Sequence, residues 1–359
     1  MLLPKQSNIG TAMVWYFLRE NGQPDGPGKY IARTLHDFLD DCPKALRNKH
    51  KHLGLIARIF CHKLIAEGFL FSVGFDPDQE LPYSERFVSY YFGDELAEYG
   101  DYDFTAIGFK EIVHRFQSSV IKLSVVSAGD TKVTTGTAFL IDNSRMVTAA
   151  HCLPEHSTVT VEGWEAAAHP IKKITTFGRL DSTRPFFSCR GLEDLAVIEF
   201  ESDPYPETHK FALWGAGILD DCLVMGYPNI AGFDFPQIAG TGQVVSEHDS
   251  YARKQRMLFV DVRVKGGNSG GPVINRFGRV IGVITNSEAS GEKDIQELGY
   301  ALATPAQTLL DLVNSIEPEN PAHEPEESVP ERPETTVEKK EIFNIKFEAK
   351  GVDSIRILS

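Results

Sequence analysis

The stretch KGGNSGGP, residues 265–272, surrounds one serine, Ser269, with four glycines and a proline. This composition disfavours both a helix and a regular strand, and glycine lets another segment or a ligand come close to the main chain. A tight turn in a β protein would explain the stretch by itself. In the other interpretation the turn presents the Ser269 hydroxyl as a nucleophile, which requires a base from elsewhere in the chain.

A histidine and an aspartate that could serve this serine occur upstream, each at the edge of a predicted strand. The segment GTAFLIDNSRMVTAAHC, 136–152, predicts strands at 138–141 and 146–148, a polar turn between them, and then His151. Asp194 opens the next short apolar run. A serine hydroxyl becomes reactive when an imidazole takes its proton and a carboxylate fixes the imidazole tautomer. The alternatives are a structural core histidine and a strand-edge carboxylate.

Three motifs in this order resemble those of the chymotrypsin-like serine peptidases: TAAHC at 148–152, DLAVIEF at 194–200 and GNSGGP at 267–272. Four further motifs resemble the bacterial HtrA-type branch: VMGYPN at 224–229, GTGQVVS at 240–246, NRFGRVIGVIT at 275–285 and GYALATP at 299–305. The resemblance covers 113–313. It implies an all-β peptidase domain at 113–315, built from two antiparallel β-barrels with the active site between them.

The resemblance also implies a role for each site residue. Ser269 would be the nucleophile, His151 the general base and acid, and Asp194 the carboxylate that orients the histidine. The N–H groups of Gly267 and Ser269 would form the oxyanion hole. His151 and Asp194 are expected on the first barrel and Ser269 on the second. This chemistry needs no cofactor and no metal, and it predicts a serine endopeptidase that acts on proteins or peptides through an acyl-enzyme. The alternative is a non-hydrolytic binding or scaffold protein that keeps the fold.

In this fold three segments wall the pocket for the side chain that precedes the cut, here 263–265, 284–286 and 299–301. The candidate lining residues are Val264, Ile284, Thr285, Gly299 and Ala301. Six residues before Ser269, where trypsin-like members keep an aspartate, this chain has Arg263. Strand alternation lets only one of Arg263 and Val264 face the pocket. If Val264 faces the pocket, the pocket is expected to prefer small apolar substrate residues. If Arg263 faces it, the pocket is expected to prefer acidic ones. The HtrA-type resemblance and the cost of burying a guanidinium favour Val264.

Composition and cysteine usage limit the class of protein. The net charge of −14 argues against bulk nucleic-acid binding, and no apolar run is long enough for a membrane span. The apolar stretch 9–18 lacks a cleavage site, so it is expected to be a buried helix or strand rather than a signal peptide. Secreted members of the family bridge the cysteine after the histidine to one near 135–137, where this chain has none. The odd total of five cysteines also suggests reduced thiols and a cytoplasmic location.

Residues 1–112 are expected to form a separate, mainly helical domain with a β-hairpin. This segment holds about half of the aromatic residues of the chain, which indicates a folded core. Strand-like sequence occurs at 86–92. Two sets of apolar residues recur at helical spacing, Ile31, Leu35, Phe38 and Leu39, and Leu53, Ile56, Phe60 and Leu64. Because a folded region precedes the barrels, activation by a new N-terminus is not expected, and we expect this domain to sense a signal or partner that controls the peptidase.

The segment 44–63 within this domain is basic and contains no acidic residue. It is either the solvated face of a helix or a site for an anionic or protein partner. Its neighbourhood also holds cysteines and histidines, but their spacing fits no usual zinc pattern. These residues are Cys42, His50, His52, Cys61 and His62.

The C-terminal part is expected to consist of a disordered linker at 316–340 and a short β-strand tail at 341–359. The stretch 317–338 contains eight glutamates, five prolines and one arginine, with little apolar surface to bury. The tail alternates apolar residues and is suited to pair with the edge of a sheet in this molecule or in a partner. We therefore expect no PDZ-like domain, which would be a departure from many HtrA-type proteins.

Overall fold

A succession of antiparallel strands runs from Val120 to Pro305, after a mainly helical region. The computed structural model describes residues 9–18, 23–24, 30–42, 44–49, 52–79, 81–89, 101–126, 133–154, 158–162, 169–178, 193–234, 236–250, 253–285 and 299–316. The predicted linker and β tail lie outside the described residues, apart from Ile316. The described residues up to Ile316 belong to one compact unit.

The N-terminal region contains six helices and five short strands among its described residues. The helices are α1 (Ile9–Tyr16), α2 (Leu35–Asp41), α3 (Lys44–Lys49), α4 (Leu53–Ala66), α5 (Asp101–Ile107) and α6 (Phe109–Phe116). The strands are β1 (Gln23–Pro24), β2 (Tyr30–Ile31), β3 (Arg33–Thr34), β4 (Leu70–Phe75) and β5 (Glu85–Ser89). β1 pairs with β2, and β3, β5 and β4 form a three-stranded sheet in that order. The helical N-terminal region and its hairpin are therefore confirmed.

One helix starts later than its apolar spacing predicts. Ile31 lies in β2, and α2 begins only after Thr34. The Thr34 hydroxyl accepts a hydrogen bond from Asp37 N at 3.1 Å, and the Asp37 carboxylate accepts one from Thr34 N at 2.8 Å. This reciprocal capping box fixes the helix start, so the inclusion of Ile31 in the helix was wrong.

The core of the N-terminal region is aromatic, and α1 is buried in it, as expected for 9–18. The Phe17 ring lies 5.9 Å from that of Phe38 and 5.3 Å from that of Phe87. At the start of α1, Gly10 N donates a hydrogen bond of 3.0 Å to the buried carboxylate of Asp103 in α5. This bond satisfies one of the main-chain donors that a helix leaves free at its first turn.

The first set of strands in the β region forms a six-stranded antiparallel half-barrel. Its members are β6 (Val120–Val126), β7 (Val133–Leu140), β8 (Arg145–Ala149), β9 (Thr158–Val161), β10 (Ile171–Phe177) and β11 (Leu195–Phe200). Their order is β10-β11-β8-β7-β6-β9. The predicted strand at 138–141 corresponds to the end of β7, and the predicted strand at 146–148 corresponds to the centre of β8. Between them the Asp142 carboxylate accepts hydrogen bonds from Ser144 N and Arg145 N, which closes the polar turn.

The second set closes into a six-stranded antiparallel barrel. It contains β12 (Asp221–Gly226), β13 (Ile238–Ser250), β14 (Gln255–Val260), β15 (Pro272–Asn275), β16 (Val280–Ile284) and β17 (Ala301–Pro305), followed by helix α7 (Ala306–Ile316). The order around the barrel is β12-β13-β14-β17-β16-β15. The fold class, a chymotrypsin-like β domain preceded by a helical region, is confirmed, although the first of the two predicted barrels is a half-barrel.

The tip of the β15–β16 hairpin packs against the N-terminal region. The Phe277 ring lies 6.2 Å from that of Phe69, and Arg276 Nη1 lies 2.6 Å from Glu67 Oε2. A Cβ atom on Gly278 would lie 2.4 Å from the Phe104 ring, so that ring rests directly on the glycine. The N-terminal region thus contacts the hairpin that runs from the Ser269 turn to the predicted pocket.

Three further features of the described residues concern membrane-spanning helices, free thiols and groups that could bind a metal. None of the described helices combines the length and the apolar character needed to cross a membrane. Cys42, Cys61, Cys152 and Cys222 carry free thiols, while Cys189 lies outside the described residues. The described part of the chain contains no group of three or more side chains suited to hold a metal ion.

Candidate active site

His151 and Asp194 lie in direct contact on the half-barrel. His151 occupies the short 3₁₀ turn that follows β8, and Asp194 directly precedes β11, the strand paired with β8. His151 Nδ1 lies 2.6 Å from Asp194 Oδ2, and His151 N donates a hydrogen bond of 2.9 Å to Asp194 Oδ1. The carboxylate therefore holds both the ring and the backbone of the histidine. The arrangement leaves Nε2 as the ring nitrogen that can accept a proton.

Asp194 has a backbone conformation that non-glycine residues rarely adopt, with φ at +52°. Its neighbours fix this conformation from both sides. Asp194 N donates to the Gly178 carbonyl at 3.1 Å, and the Asp194 carbonyl accepts from Ala150 N at 2.9 Å. The side chain is fully buried. A strained backbone that is fixed in this way is common where a side chain must be aimed at a reacting group.

The environment of His151 changes its proton affinity. Burial lowers the pKa of the imidazole, but the Asp194 carboxylate and the Cys152 sulfur act in the opposite direction, and the net pKa of His151 lies well above its ordinary value. The carboxylate stabilises the charged ring by attraction and by the hydrogen bond to Nδ1. A paired imidazole of this kind is suited to accept a proton from a hydroxyl and to hold it as an imidazolium.

Ser269 lies in the glycine turn between β14 and β15 and is buried, with 7% of its surface exposed. The turn depends on glycine at two positions. Gly267 has φ at +103°, and a Cβ atom there would lie 2.3 Å from the Tyr227 carbonyl oxygen. Gly270 has φ at +83°, and its Cβ atom would lie 2.1 Å from the Thr137 carbonyl oxygen. No side chain fits at either position, because the main chain is left-handed and neighbouring backbone lies too close.

Thr137 in β7 joins the half-barrel to the Ser269 turn. Its N–H donates to the Ser269 carbonyl at 2.9 Å, and its hydroxyl donates to the Gly267 carbonyl at 2.7 Å. The same hydroxyl accepts a hydrogen bond of 3.0 Å from Tyr227 N. These bonds hold the main chain of the turn at Gly267 and at Ser269, on both sides of Asn268. Sequence reasoning did not identify Thr137, because Gly267 and Tyr227 lie 130 and 90 positions further along the chain.

Cys152 lies between the histidine and the serine turn. Its thiol is 3.5 Å from the Ser269 carbonyl oxygen, so the side chain next to His151 contacts the main chain of the serine. A Cβ atom on Gly136 would lie 2.8 Å from the Cys152 sulfur. The region where secreted family members place a second cysteine is therefore adjacent to Cys152, and in this chain glycine leaves room for the free thiol.

The predicted pocket residues occupy different environments. Ile284 and Ala301 are fully buried in the core of the second barrel, and Val264 packs against the same cluster. Arg263 is exposed and Val264 is partly buried, although both residues lie beyond the end of β14 and not in a strand. Thr285 is buried and Gly299 is exposed, while Asn286 lies outside the described residues. The structure thus groups three of the candidate residues, Val264, Ile284 and Ala301, in one apolar cluster.

A buried arginine that sequence reasoning missed lies next to this cluster. Arg253, at the β13–β14 turn, donates from Nη1 to the Thr285 hydroxyl at 3.1 Å and from Nη2 to the Thr285 carbonyl at 2.8 Å. Only 1% of its surface is exposed. No motif marks this residue, because its partner lies 32 positions further along the chain.

Part of this chain is similar to known proteins. Residues 136–283 match the family model described as "Trypsin-like peptidase domain". Among solved structures, the active form of the Rv3671c protease from M. tuberculosis is 21% identical, with a TM-score of 0.43, over 60% of this chain and 88% of that chain. The inactive form of a serine-to-alanine mutant of the same protease is 22% identical, with a TM-score of 0.39, over 59% and 92%. The segment that matches the trypsin-like peptidase domain contains His151, Asp194 and Ser269 and has the chymotrypsin-like fold.

Proposed function

We propose that this protein is a serine endopeptidase that hydrolyses proteins or peptides through an acyl-enzyme on Ser269. In this proposal His151 takes the proton of the Ser269 hydroxyl and later delivers it to the leaving amine, while Asp194 holds the imidazole in the correct tautomer. The N–H groups of Gly267 and Ser269 stabilise the oxyanion, an effect of about 3–4 kcal/mol for each donor.

The observation that carries the proposal is the contact of 2.6 Å between His151 Nδ1 and the buried Asp194 carboxylate, in a segment that matches a trypsin-like peptidase domain. A structural histidine does not need a carboxylate in a strained backbone conformation to orient it. The hydrogen bonds from Thr137 and Cys152 to the Ser269 main chain support a position of the serine beside this pair.

Hydrolysis of an unfolded protein substrate by purified enzyme tests the proposal. Replacement of Ser269 by alanine is expected to lower kcat by roughly 10⁴-fold or more, because the nucleophile is lost while the fold is kept. Equal rates for the wild type and Ser269→Ala would contradict the proposal. Binding of unfolded protein without turnover in either variant would favour the alternative, a non-hydrolytic binding or scaffold protein.

For the residue that precedes the cut, we propose a preference for Val, Ala, Leu or Ile. Val264 packs against the apolar cluster with Ile284 and Ala301, whereas Arg263 is exposed. Ile284 and Ala301 are fully buried in the barrel core, so in this proposal the partly buried Val264 contacts the substrate side chain and favours an aliphatic one by burying its surface. The cleavage sites in a denatured proteome will test this preference. A majority of cuts after acidic residues would favour Arg263 in the pocket, and a majority after Lys or Arg would contradict both interpretations.

We also propose that the N-terminal region controls the peptidase. The support is the packing of Phe69 and Phe104 on the tip of the β15–β16 hairpin. This hairpin begins at Pro272, three residues after Ser269, and ends at Ile284, next to Thr285. A movement of the N-terminal region can therefore reach both the nucleophile turn and the predicted pocket through a single hairpin.

Two finer assignments rest mainly on the sequence. We propose an HtrA-type peptidase of the cytoplasm, on the basis of the motifs at 224–229, 240–246, 275–285 and 299–305 and of the free thiols. An anionic or protein partner at 44–63 remains a proposal as well. Lys44, Arg58 and Lys63 are exposed there, whereas Arg47 donates hydrogen bonds to the Leu39 and Asp40 carbonyls near the end of α2.

A further inference from the structure

Three buried side chains of the second barrel form a continuous line of hydrogen bonds that ends at the half-barrel. Arg253 Nη1 donates to Thr285 Oγ1 at 3.1 Å, Thr285 Oγ1 lies 3.2 Å from Thr304 Oγ1, and Thr304 Oγ1 donates to the Glu193 carbonyl at 2.9 Å. Both threonines are fully buried. The line connects the β13–β14 turn to the residue that precedes Asp194.

The direction of every bond in this line follows from counting protons. A threonine hydroxyl has one proton to donate, and an arginine guanidinium only donates. Thr304 uses its proton on the Glu193 carbonyl, so Thr285 must donate to Thr304. The Thr285 oxygen can then accept from Arg253. All the bonds therefore point from the permanent positive charge of Arg253 toward the Glu193 carbonyl, and bonds in such a series strengthen one another.

The end of the line fixes the peptide group between Glu193 and Asp194. Its carbonyl accepts from Thr304 at 2.9 Å, and its N–H donates to the Gly178 carbonyl at 3.1 Å. The orientation of this peptide sets φ of Asp194, which has the strained value of +52°. A peptide held from both sides cannot rotate to relieve that strain, so the direction of the Asp194 carboxylate depends on the line.

We propose that Arg253, Thr285 and Thr304 are positioning residues that hold the Asp194 carboxylate against His151. The line also runs from the second barrel, which carries Ser269, to the half-barrel, which carries His151 and Asp194. It therefore secures the two barrels to each other next to the predicted catalytic groups. The role of these residues in turnover rests on the proposed peptidase function, whereas their effect on His151 does not.

The test uses the full chain and replaces Thr304 with valine, which keeps the shape and removes the hydroxyl. The matched control is Thr105→Val, since the Thr105 hydroxyl also donates to a carbonyl, that of Tyr102 at 2.9 Å, but far from the site in sequence. The His151 pKa is measured by NMR titration of the imidazole, in samples that thermal melting shows to be folded. Thr304→Val is expected to lower the His151 pKa relative to both the wild type and Thr105→Val, and Thr304→Ser to restore it.

Arg253→Met is expected to shift the His151 pKa in the same direction by a smaller amount, because the threonine bonds remain. In the peptidase assay, Thr304→Val is expected to lower kcat about tenfold with little change in KM, since an interaction that acts on the base rather than on substrate binding is lost. An unchanged His151 pKa in folded Thr304→Val, or a failure of serine to restore it, would overturn the proposal. If the His151 pKa changes in Thr304→Val but the wild-type protein shows no turnover, the result contradicts the peptidase function and leaves the positioning role in place.

Discussion

The pair formed by His151 and Asp194 predicts how activity depends on pH. An imidazole accepts a proton only when it is neutral, so kcat/KM is expected to rise with pH through the His151 pKa. The carboxylate raises this pKa, and the rise is therefore expected above the ordinary value of about 6.5.

Asp194→Asn tests the cause of this dependence. The amide carries no negative charge, so the rise in kcat/KM is expected at lower pH, with kcat reduced by roughly 10⁴-fold because the histidine tautomer is no longer fixed. The measurement is the pH profile of peptide hydrolysis by both proteins. A rise at the same pH in the two profiles would show that Asp194 does not set the pKa of the catalytic base.

Replacement of Gly267 is expected to lower the stability of the protein by more than its positive φ alone would explain. Gly267→Ala places a Cβ atom 2.3 Å from the Tyr227 carbonyl oxygen and must displace the turn that holds Ser269. Gly68→Ala is the control, because Gly68 also has a positive φ, +77°, but has open space around it. We expect Gly68→Ala to cost about 1 kcal/mol and Gly267→Ala about 2–4 kcal/mol in the free energy of unfolding.

Urea denaturation of both variants measures this difference, and a peptidase assay is expected to show a large loss for Gly267→Ala only. Equal stability and activity of the two variants would contradict the described turn.

At the level of elements, the start of α1 predicts a pH-dependent stability. Burial raises the pKa of Asp103 from 3.8 to about 6, against the opposing effects of the Gly10 and Thr11 N–H groups and of Arg115. The folded protein therefore binds a proton more tightly than the unfolded chain. This contribution to stability is fully present below pH 3.8 and is lost as the pH rises through about 6.

Asp103→Asn removes this titration and keeps an oxygen that can accept from Gly10 N. Between pH 4 and pH 7.5 the wild type is expected to lose about 2–3 kcal/mol of unfolding free energy relative to Asp103→Asn. Urea denaturation at the two pH values provides the measurement. A constant difference between the two proteins across this range would show that Asp103 is not buried as described.

The elements also show what the sequence could predict. The strands around 138–148 and helix α4 follow from local patterns of apolar residues, and the structure places them where those patterns do. Apolar spacing alone wrongly placed Ile31 in α2. The capping box at Thr34 and Asp37 sets the helix start and outweighs that spacing. The contacts of Thr137 with Gly267, and of Thr304 with Glu193, join residues more than 100 positions apart. No single-sequence pattern reports such contacts, because they arise only when the barrels pack.

At the scale of the whole molecule, the boundary expected at 112/113 falls inside helix α6. Phe104, Ile112 and Phe116 share one apolar cluster with residues of the second barrel such as Val280 and Val283. A chain of residues 113–316 would expose this surface, whereas a chain of 101–316 keeps it covered. We expect the longer chain to be the more stable by several kcal/mol, since two large side chains remain buried.

Thermal melting and solubility of the two truncated chains check this expectation. Full solubility of 113–316, with the peptidase rate of the complete chain, would argue against both the shared core and the control of the peptidase by the N-terminal region.

The central claim, that Ser269 is an activated nucleophile, is tested most directly by covalent labelling with a fluorophosphonate. The full chain is incubated with the probe, and the modified residue is located by mass spectrometry. Ser202→Ala is the matched control, because the exposed Ser202 also contacts a histidine, with its hydroxyl 2.8 Å from His169 Nδ1, but lies outside the glycine turn. The account predicts an adduct on Ser269 that Ser269→Ala abolishes and Ser202→Ala leaves intact. Absence of label on Ser269, or equal labelling of Ser269→Ala, would contradict it.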